Sequence, residues 1–591
     1  MEPAISLDTV SAALCQVQVF LRPYLRLANT HGAEFLSDDH WCHYLSPAVQ
    51  TNLLDLSTDD LVNLSLLTLH ENCDENNMSC SDSDKIHNAG EKQSSSGQTD
   101  HQVKNLAAFI SEAQKCHLDK LDVLTPLAVL LPENPSLVVS EAMSEKKLHE
   151  VGIMVDAVSA LCKSTKSDLV VDIGSGKGYF ASEMSLKHKI PVVGFDSRDT
   201  NTHGASQRDR KLAKKWAGLE KRKRLKLEVS TSSNLQPDER QKKIENQNQS
   251  IHLPNLNHDV GQESSIPTKP SSSEAPKNKI CDIDGSGTSI SSINPSCLRE
   301  TSESQESAHC DKNSQLLSQI NTLNCDLYKP VTLYVHPEME LFKVIREEVP
   351  EYRNVVSARL FLSGLHTCGS LAVTSLNLFL QDSNTVGLCC VGCCYQLMEE
   401  RRPDSCESDL HQEQHFPISA CGRNLDLQLG RNARNLASQS VHRIRASGQL
   451  QGGDFFWRAL LNVLLTKLGI PIPERINGMR GLNKRCKTFQ DYAAAAFEKL
   501  GLADKLADVH TLAANLEAEH QEVRTRMSAF FQLKLVLAPV IEALILLDRL
   551  AFLLEQDAVS TGYLVQLFDP VLSPRCYALI AWKQMDKKEK S

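Results

Sequence analysis

Aromatic side chains are scarce, at 5% of 591 residues with only four tryptophans. Hydrophobic residues still reach 41% and charged residues 23%. Those values are close to globular, so a collagen-like, coiled-coil or wholly disordered chain is excluded. The aromatic deficit is therefore local. The chain also lacks an excess of positive charge: its net charge is −10 and its pI about 6.1. Any nucleic-acid contact must come from a local basic patch. Nineteen cysteines at irregular spacing do not make a secreted disulfide framework. The start MEPAISLDTV has neither the basic nor the apolar region of a signal peptide. The most apolar stretch, 533–554, is interrupted by Lys534, Glu542, Asp548 and Arg549, each costly in a bilayer. These absences predict an intracellular protein, cytoplasmic or nuclear, that makes no membrane contact. Its thiols are expected to be reduced and mostly packed as small hydrophobes.

Residues 1–70 space their apolar side chains by three and four, which predicts an N-terminal helical region. Residues 71–104 are polar and free of aromatics, as in a disordered linker. Helical patterning returns over 105–165 and leads into SDLVVDIGSGKGYFASEMSLKHKIPVVGFDSRD, a βαβ unit. A basic helix follows, and 105–228 forms the first half of one domain. Between Trp216 and Tyr328 there is no Phe, Trp or Tyr. Such a segment buries too little apolar surface to offset roughly 1–2 kcal/mol of backbone entropy per residue, so 229–325 reads as a disordered insertion within the domain. The second half spans 326–450, with strands in VTLYV, RLFLSGLHTCG and VGLCCVGCCY. Residues 451–560 read as a helical cap, and 561–591 as a terminal hairpin, YLVQLF paired with RCYALIAWK.

The informative turn is VVDIGSGKG. Glycines at 174, 176 and 178 after a buried strand let backbone N–H groups approach a ligand at a helix N-terminus. A P-loop would place glycine at 171 and Ser or Thr at 178, where Val171 and Gly178 stand. A dinucleotide loop would need glycine at Tyr179. The remaining pattern, D-x-G-x-G-x-G, resembles the S-adenosylmethionine loop of Rossmann-like methyltransferases. That resemblance implies Asp172 beside the ligand's amino-acid moiety, a cradle of Gly174, Ser175, Gly176, Lys177 and Gly178, and Asp196 accepting both ribose hydroxyls. It also implies an α/β fold: a Rossmann-like seven-stranded sheet in the order 3-2-1-4-5-7-6, with helical additions. The 1–70 and 105–165 helices are expected to cover one side of this sheet, and those of 454–556 to form the cap.

DIGSGKGYF, GLHTCGSLAVTSL, VGCCYQL, HFPIS and GRNARNLASQS together resemble the methyltransferase-like protein 25 family, over most of the chain outside 71–104 and 229–325. The end of the fourth strand lacks the acid-or-amide, double-proline and aromatic motif of many amine methyltransferases, which argues against an exocyclic amine acceptor. His366 and Cys368 stand there instead, followed by Cys393, Cys394 and Tyr395 on the fifth strand. This H-x-C-G pattern resembles tRNA ribose 2′-O-methyltransferases, in which the acceptor hydroxyl must lose a proton. These five residues are the candidate acceptor pocket, although a histidine here also suits capping the next helix. Cys390-x-x-Cys393 invites zinc, with Cys368 and His366 to complete the set, but strand alternation separates its thiols, and no metal is assigned. From Gln207 to Lys226 ten Lys or Arg face two acids, a net +8, which suits RNA phosphates or simply a solvated face. The expected reaction is methyl transfer from S-adenosylmethionine, most plausibly to RNA. A protein acceptor and a catalytically silent scaffold are the alternatives. Protein partners are unassigned.

Overall fold

The computed structural model describes residues 5–67, 101–130, 143–233, 327–401, 416–450, 455–473, 479, 481–503 and 506–584. Most of the expected linker and nearly all of the expected insertion lie outside these residues. The chain divides into two units, Met1–Trp216 with Gln315–Ser591, and Ala217–Ser314. The fold and site described below belong to the first.

Its centre is a seven-stranded sheet: β1 Leu169–Ile173, β2 Val192–Asp196, β3 Tyr328–Thr332, β4 Leu360–Cys368, β5 Thr385–Cys393, β6 Val559–Gln566 and β7 Tyr577–Lys583. The order is β3-β2-β1-β4-β5-β7-β6, as the sequence implied. The first five strands are parallel, and β7 runs antiparallel to both β5 and β6. Every residue of β1 is buried, the near-continuous apolar run expected where helices cover both faces of a parallel sheet. Alternation sends Leu169, Val171 and Ile173 into one core and Val170 into the other.

On the second face lie the helices Glu145–Thr165 and Tyr179–His188. Ser144 caps the first through its side chain, and Lys166 closes it in a left-handed conformation at φ 52°. Its stripe of Val151, Met154, Val155, Val158 and Leu161 is buried, at about 1.5–3 kcal/mol per large side chain. The first face is covered jointly by N-terminal helices such as Leu7–Leu21 and by the late helices Phe456–Lys467, Phe489–Lys499, Gln521–Leu535 and Ala538–Leu554, all in one core.

Three expectations are corrected. The 1–70 and 105–165 helices do not share a side: Glu145–Thr165 takes the opposite face, because strand alternation gives the sheet two apolar surfaces. The 454–556 helices are no separate cap, since their apolar faces merge with the N-terminal ones. The third strand is Tyr328–Thr332, earlier than VTLYV, because Tyr328 pairs with Val192 and Thr332 with Asp196, which leaves Tyr334 77% exposed. Pro330 is tolerated because β3 is an edge strand.

The stretch Gln521–Leu554 is long and apolar enough to cross a membrane, but 83% of its most apolar window is buried inside the protein. Its interrupting charges have internal partners. Asp548 accepts from Ile418 N at 2.9 Å, Ser419 N at 3.0 Å and Ser419 Oγ at 2.6 Å.

Candidate functional site

The glycine loop leaves the C-terminal end of β1 and enters the Tyr179–His188 helix. Gly174, Gly176 and Gly178 all have positive φ, at 72°, 54° and 62°. A Cβ on Gly178 would lie 2.3 Å from the Tyr328 hydroxyl, so only glycine fits there. At Gly176 the nearest obstacle is the Gly174 carbonyl at 3.9 Å, so that side of the loop is open to a ligand. Asp172 is 2% exposed and makes no side-chain hydrogen bond among the described residues. Burial, reinforced by the Asp196 charge, pushes its carboxyl up to about 7. Ser363 pairs in register with Asp172, and its Oγ is buried without a partner. Ser175 Oγ and the Tyr328 hydroxyl are neighbours that form no well-aligned bond with each other. Buried polar groups left unpaired cost about 1–3 kcal/mol each, and several in one place mark where a polar ligand would be accommodated.

Asp196 ends β2 as expected, but its carboxylate is already engaged. Oδ2 accepts from Gly176 N at 2.9 Å, while Oδ1 accepts from Arg198 N at 2.9 Å and Asn201 Nδ2 at 3.0 Å. A carboxylate offers about four acceptor sites, so one remains, on Oδ2. This carboxylate therefore holds the loop's shape and has room for one further hydrogen-bond donor, where two were expected. Lys177 contributes its carbonyl, which accepts from Arg208 Nη2 at 2.5 Å. The Arg208 guanidinium also lies over the Tyr179 ring at 3.9 Å. Arg208 thus belongs to the loop's support and not to the exposed basic face. Within the first unit that face comprises Arg210, Lys211, Lys214 and Lys215, on a helix that runs Asp199–Ser233; Asp209 is buried. The expected net +8 is reduced accordingly. Side chains from Lys223 onward lie outside the described residues.

At the tip of β4, His366 adopts φ 68° at a register shift between Leu365 and Thr367. Its Nε2 lies 3.1 Å from Oε2 of Glu150, which is 2% exposed. Ser573 Oγ donates to Glu150 Oε1 at 2.5 Å, and Lys146 Nζ approaches that oxygen at 3.4 Å. Burial works to raise the Glu150 carboxyl, but the hydrogen bonds from His366 and Ser573 and the Lys146 charge hold it below its ordinary value. Sequence reasoning missed Glu150, which lies on the helix ahead of β1. A carboxylate in line with the buried Met154 and Val158 was the available signal.

The cysteines sort differently from their spacing. Cys390 turns into the core under the first face, its Sγ 3.1 Å from Thr367 Oγ1. Cys368 and Cys393 face each other across β4 and β5, with Sγ atoms 3.2 Å apart. Cys394 joins them, all three sulfurs lying within 4.8 Å of one another. A hydrogen bond from Cys393 pulls the Cys368 thiol below its ordinary value and in turn pushes Cys393 up. Tyr395 does not line an open pocket. It is 1% exposed, its hydroxyl donates to Glu542 Oε1 at 2.9 Å, and Arg575 donates to the same oxygen at 2.9 Å. It packs beneath the rim because Arg549 and Arg575 lie over its ring, at 5.7 and 5.5 Å.

Strand order, glycine loop and the polar groups around it together define a methyltransferase-domain protein, and residues 146–401 match a family described as a methyltransferase domain. The chain is 30% identical to the human protein named probable methyltransferase-like protein 25, over 98% of both chains. It is also 30% identical to the mouse protein of that name, over 82% of this chain and 84% of the relative. The chain belongs to the methyltransferase-like protein 25 family. No solved structure matches it.

Proposed function

We propose that this protein transfers a methyl group from S-adenosylmethionine to a hydroxyl of RNA. The observation that carries the reading is the buried Asp172 carboxyl with the unpaired hydroxyls of Ser175 and Ser363, beside an open glycine loop at the C-terminal edge of the sheet. Strand C-termini are where such sheets place ligands. When bound, S-adenosylmethionine supplies an electrophilic methyl carried by a sulfonium. Asp172 would face its ammonium, and the free site on Asp196 Oδ2 would take one ribose hydroxyl. The protein's main contribution is to hold donor and acceptor in line.

His366 supplies the base. Glu150 fixes its Nε2 as the protonated nitrogen, which leaves Nδ1 with the lone pair to take a proton from the acceptor hydroxyl. Glu150 is a positioning residue, acting through His366. The exposed Arg210, Lys211, Lys214 and Lys215 support RNA over a neutral small acceptor. If all four neutralise phosphates on a single strand, affinity falls with a log–log salt slope of about −3.

The test is a tritiated methyl-transfer assay on fractionated RNA and protein from cells lacking this chain. Label in RNA alone supports the reading, together with salt-sensitive retention that is lost when the four basic residues become Gln. Label in the protein fraction alone overturns the RNA assignment in favour of a side-chain acceptor, which the net charge of −10 would suit. No label in either, despite cofactor binding, would favour a silent scaffold.

A further inference from the structure

We infer that Cys368, Cys393 and Cys394 form a zinc site of three thiolates with one open coordination position at the tips of β4 and β5. The inference is independent of the methyl-transfer reading and holds whether or not the glycine loop binds S-adenosylmethionine.

The geometry argues for it in three ways. Tetrahedral zinc with Zn–S bonds of about 2.3 Å places its sulfurs about 3.8 Å apart. The three Sγ atoms lie within 4.8 Å of one another, and the closest pair, at 3.2 Å, needs to open only slightly. Second, the backbone is shaped to bring them together. Consecutive residues of a strand point to opposite faces, so Cys393 and Cys394 should diverge. Cys394 instead takes a left-handed conformation at φ 51°, at the point where β5 ends, and turns its thiol to the side of Cys393. A non-glycine residue there costs about 1–2 kcal/mol and persists where the surroundings impose it, often at functional sites. Gly369 N donates to Cys393 O at 2.9 Å and ties the two strand tips together. Third, the group has graded access: Cys393 is buried, Cys394 half-buried and Cys368 exposed. A site with an exposed ligand can keep its fourth position for water, as open zinc sites do.

Soft thiolates favour zinc over magnesium or calcium. Binding replaces three S–H bonds by three Zn–S bonds, releases three protons and leaves a centre of net charge −1. Cys390 is not a ligand, since its thiol lies in the core against Thr367, so the C-x-x-C spacing does not identify the site. His366 is not a ligand either, because it lies outside the group whose ligand atoms are all within 4.8 Å of one another.

The test uses the full-length protein, free of metal-binding tags and purified with a non-thiol reductant. Elemental analysis should find about one zinc per chain. Cobalt substitution should give a thiolate-to-cobalt charge-transfer band in the near ultraviolet. Cys393→Ser and Cys394→Ser should each lose the band and most of the zinc while keeping the wild-type far-ultraviolet circular dichroism. Cys390→Ser should keep both. Zinc below about 0.1 per chain with no uptake from micromolar free zinc would overturn the inference. So would zinc retained in Cys394→Ser, or a Cys368–Cys393 disulfide as the only state recovered under that reductant.

Discussion

Replacing Asp172 by Asn removes a buried charge and, with it, a pH dependence that can be worked out beforehand. Burial and the Asp196 charge move the carboxyl from 3.8 to about 7. That difference places on the order of 4 kcal/mol against the ionised form, as an upper bound. Because the folded-state value is raised, the stability contribution is complete below about pH 4 and is lost as pH rises through about 7. Between pH 5 and pH 8 the wild type should lose about 3 kcal/mol that Asp172→Asn does not. Urea denaturation at the two pH values reads this directly: the variant should gain on the wild type as pH rises. Ligand binding adds a second arm. S-adenosylhomocysteine keeps the ammonium that Asp172 is proposed to face, so its affinity for the wild type should rise roughly tenfold from pH 6 to 8 as the carboxyl ionises. The variant should bind weakly, with no such rise. A stability gap equal at both pH values would refute the burial argument, and an unchanged ligand affinity in the variant would refute the role given to Asp172.

Gly178→Ala places a methyl against the Tyr328 hydroxyl at a positive φ, so it should cost about 2–4 kcal/mol in denaturant unfolding; a neutral result would mean that the loop shifts freely. Glu150→Gln should leave S-adenosylmethionine affinity unchanged, lower methyl transfer roughly tenfold and move the acid limb of the pH–rate profile. An unmoved profile would take His366 out of the chemistry. Lys534 is buried, donates to Thr30 O at 2.7 Å, and is pulled down to about 7 by burial. A lowered folded-state value means stability present above about pH 10.5 and lost as pH falls through about 7. Lys534→Met should therefore gain about 2–3 kcal/mol relative to the wild type between pH 9 and pH 7, and a constant difference would contradict this.

The sheet order was legible through the methyltransferase resemblance, which two local signals support: the apolar–glycine–helix–apolar unit ending in Asp196, and the terminal hairpin that sets β7 antiparallel against β5. The edge strand β3 was misplaced because VTLYV is the more apolar run, whereas pairing with β2 decides where the strand lies. The glycine loop was legible for the same local reason as the sheet order. The Asp196 hydrogen bonds were not, since they depend on how the loop folds back over the strand end. Glu150 and His366 are 216 residues apart, and no spacing rule links them. The thiol cluster was hidden by a backbone conformation: alternation separates Cys390 from Cys393, as expected, but the left-handed turn at Cys394 has no sequence signature. Tyr395 sits at the right place along the chain, yet Glu542 and the buried Arg575 draw it inward.

Isothermal titration of the full-length protein with S-adenosylmethionine, in parallel with Gly176→Arg, tests the central claim most directly. Gly176 is the loop position with space on its ligand side, so an arginine there reaches into the cradle, at a strain of about 1–2 kcal/mol from its φ of 54°. The account predicts one site on the wild type with a Kd of about 1 μM to 100 μM, and none on the variant. No heat of binding to the wild type at millimolar ligand, or equal binding by Gly176→Arg, would contradict it.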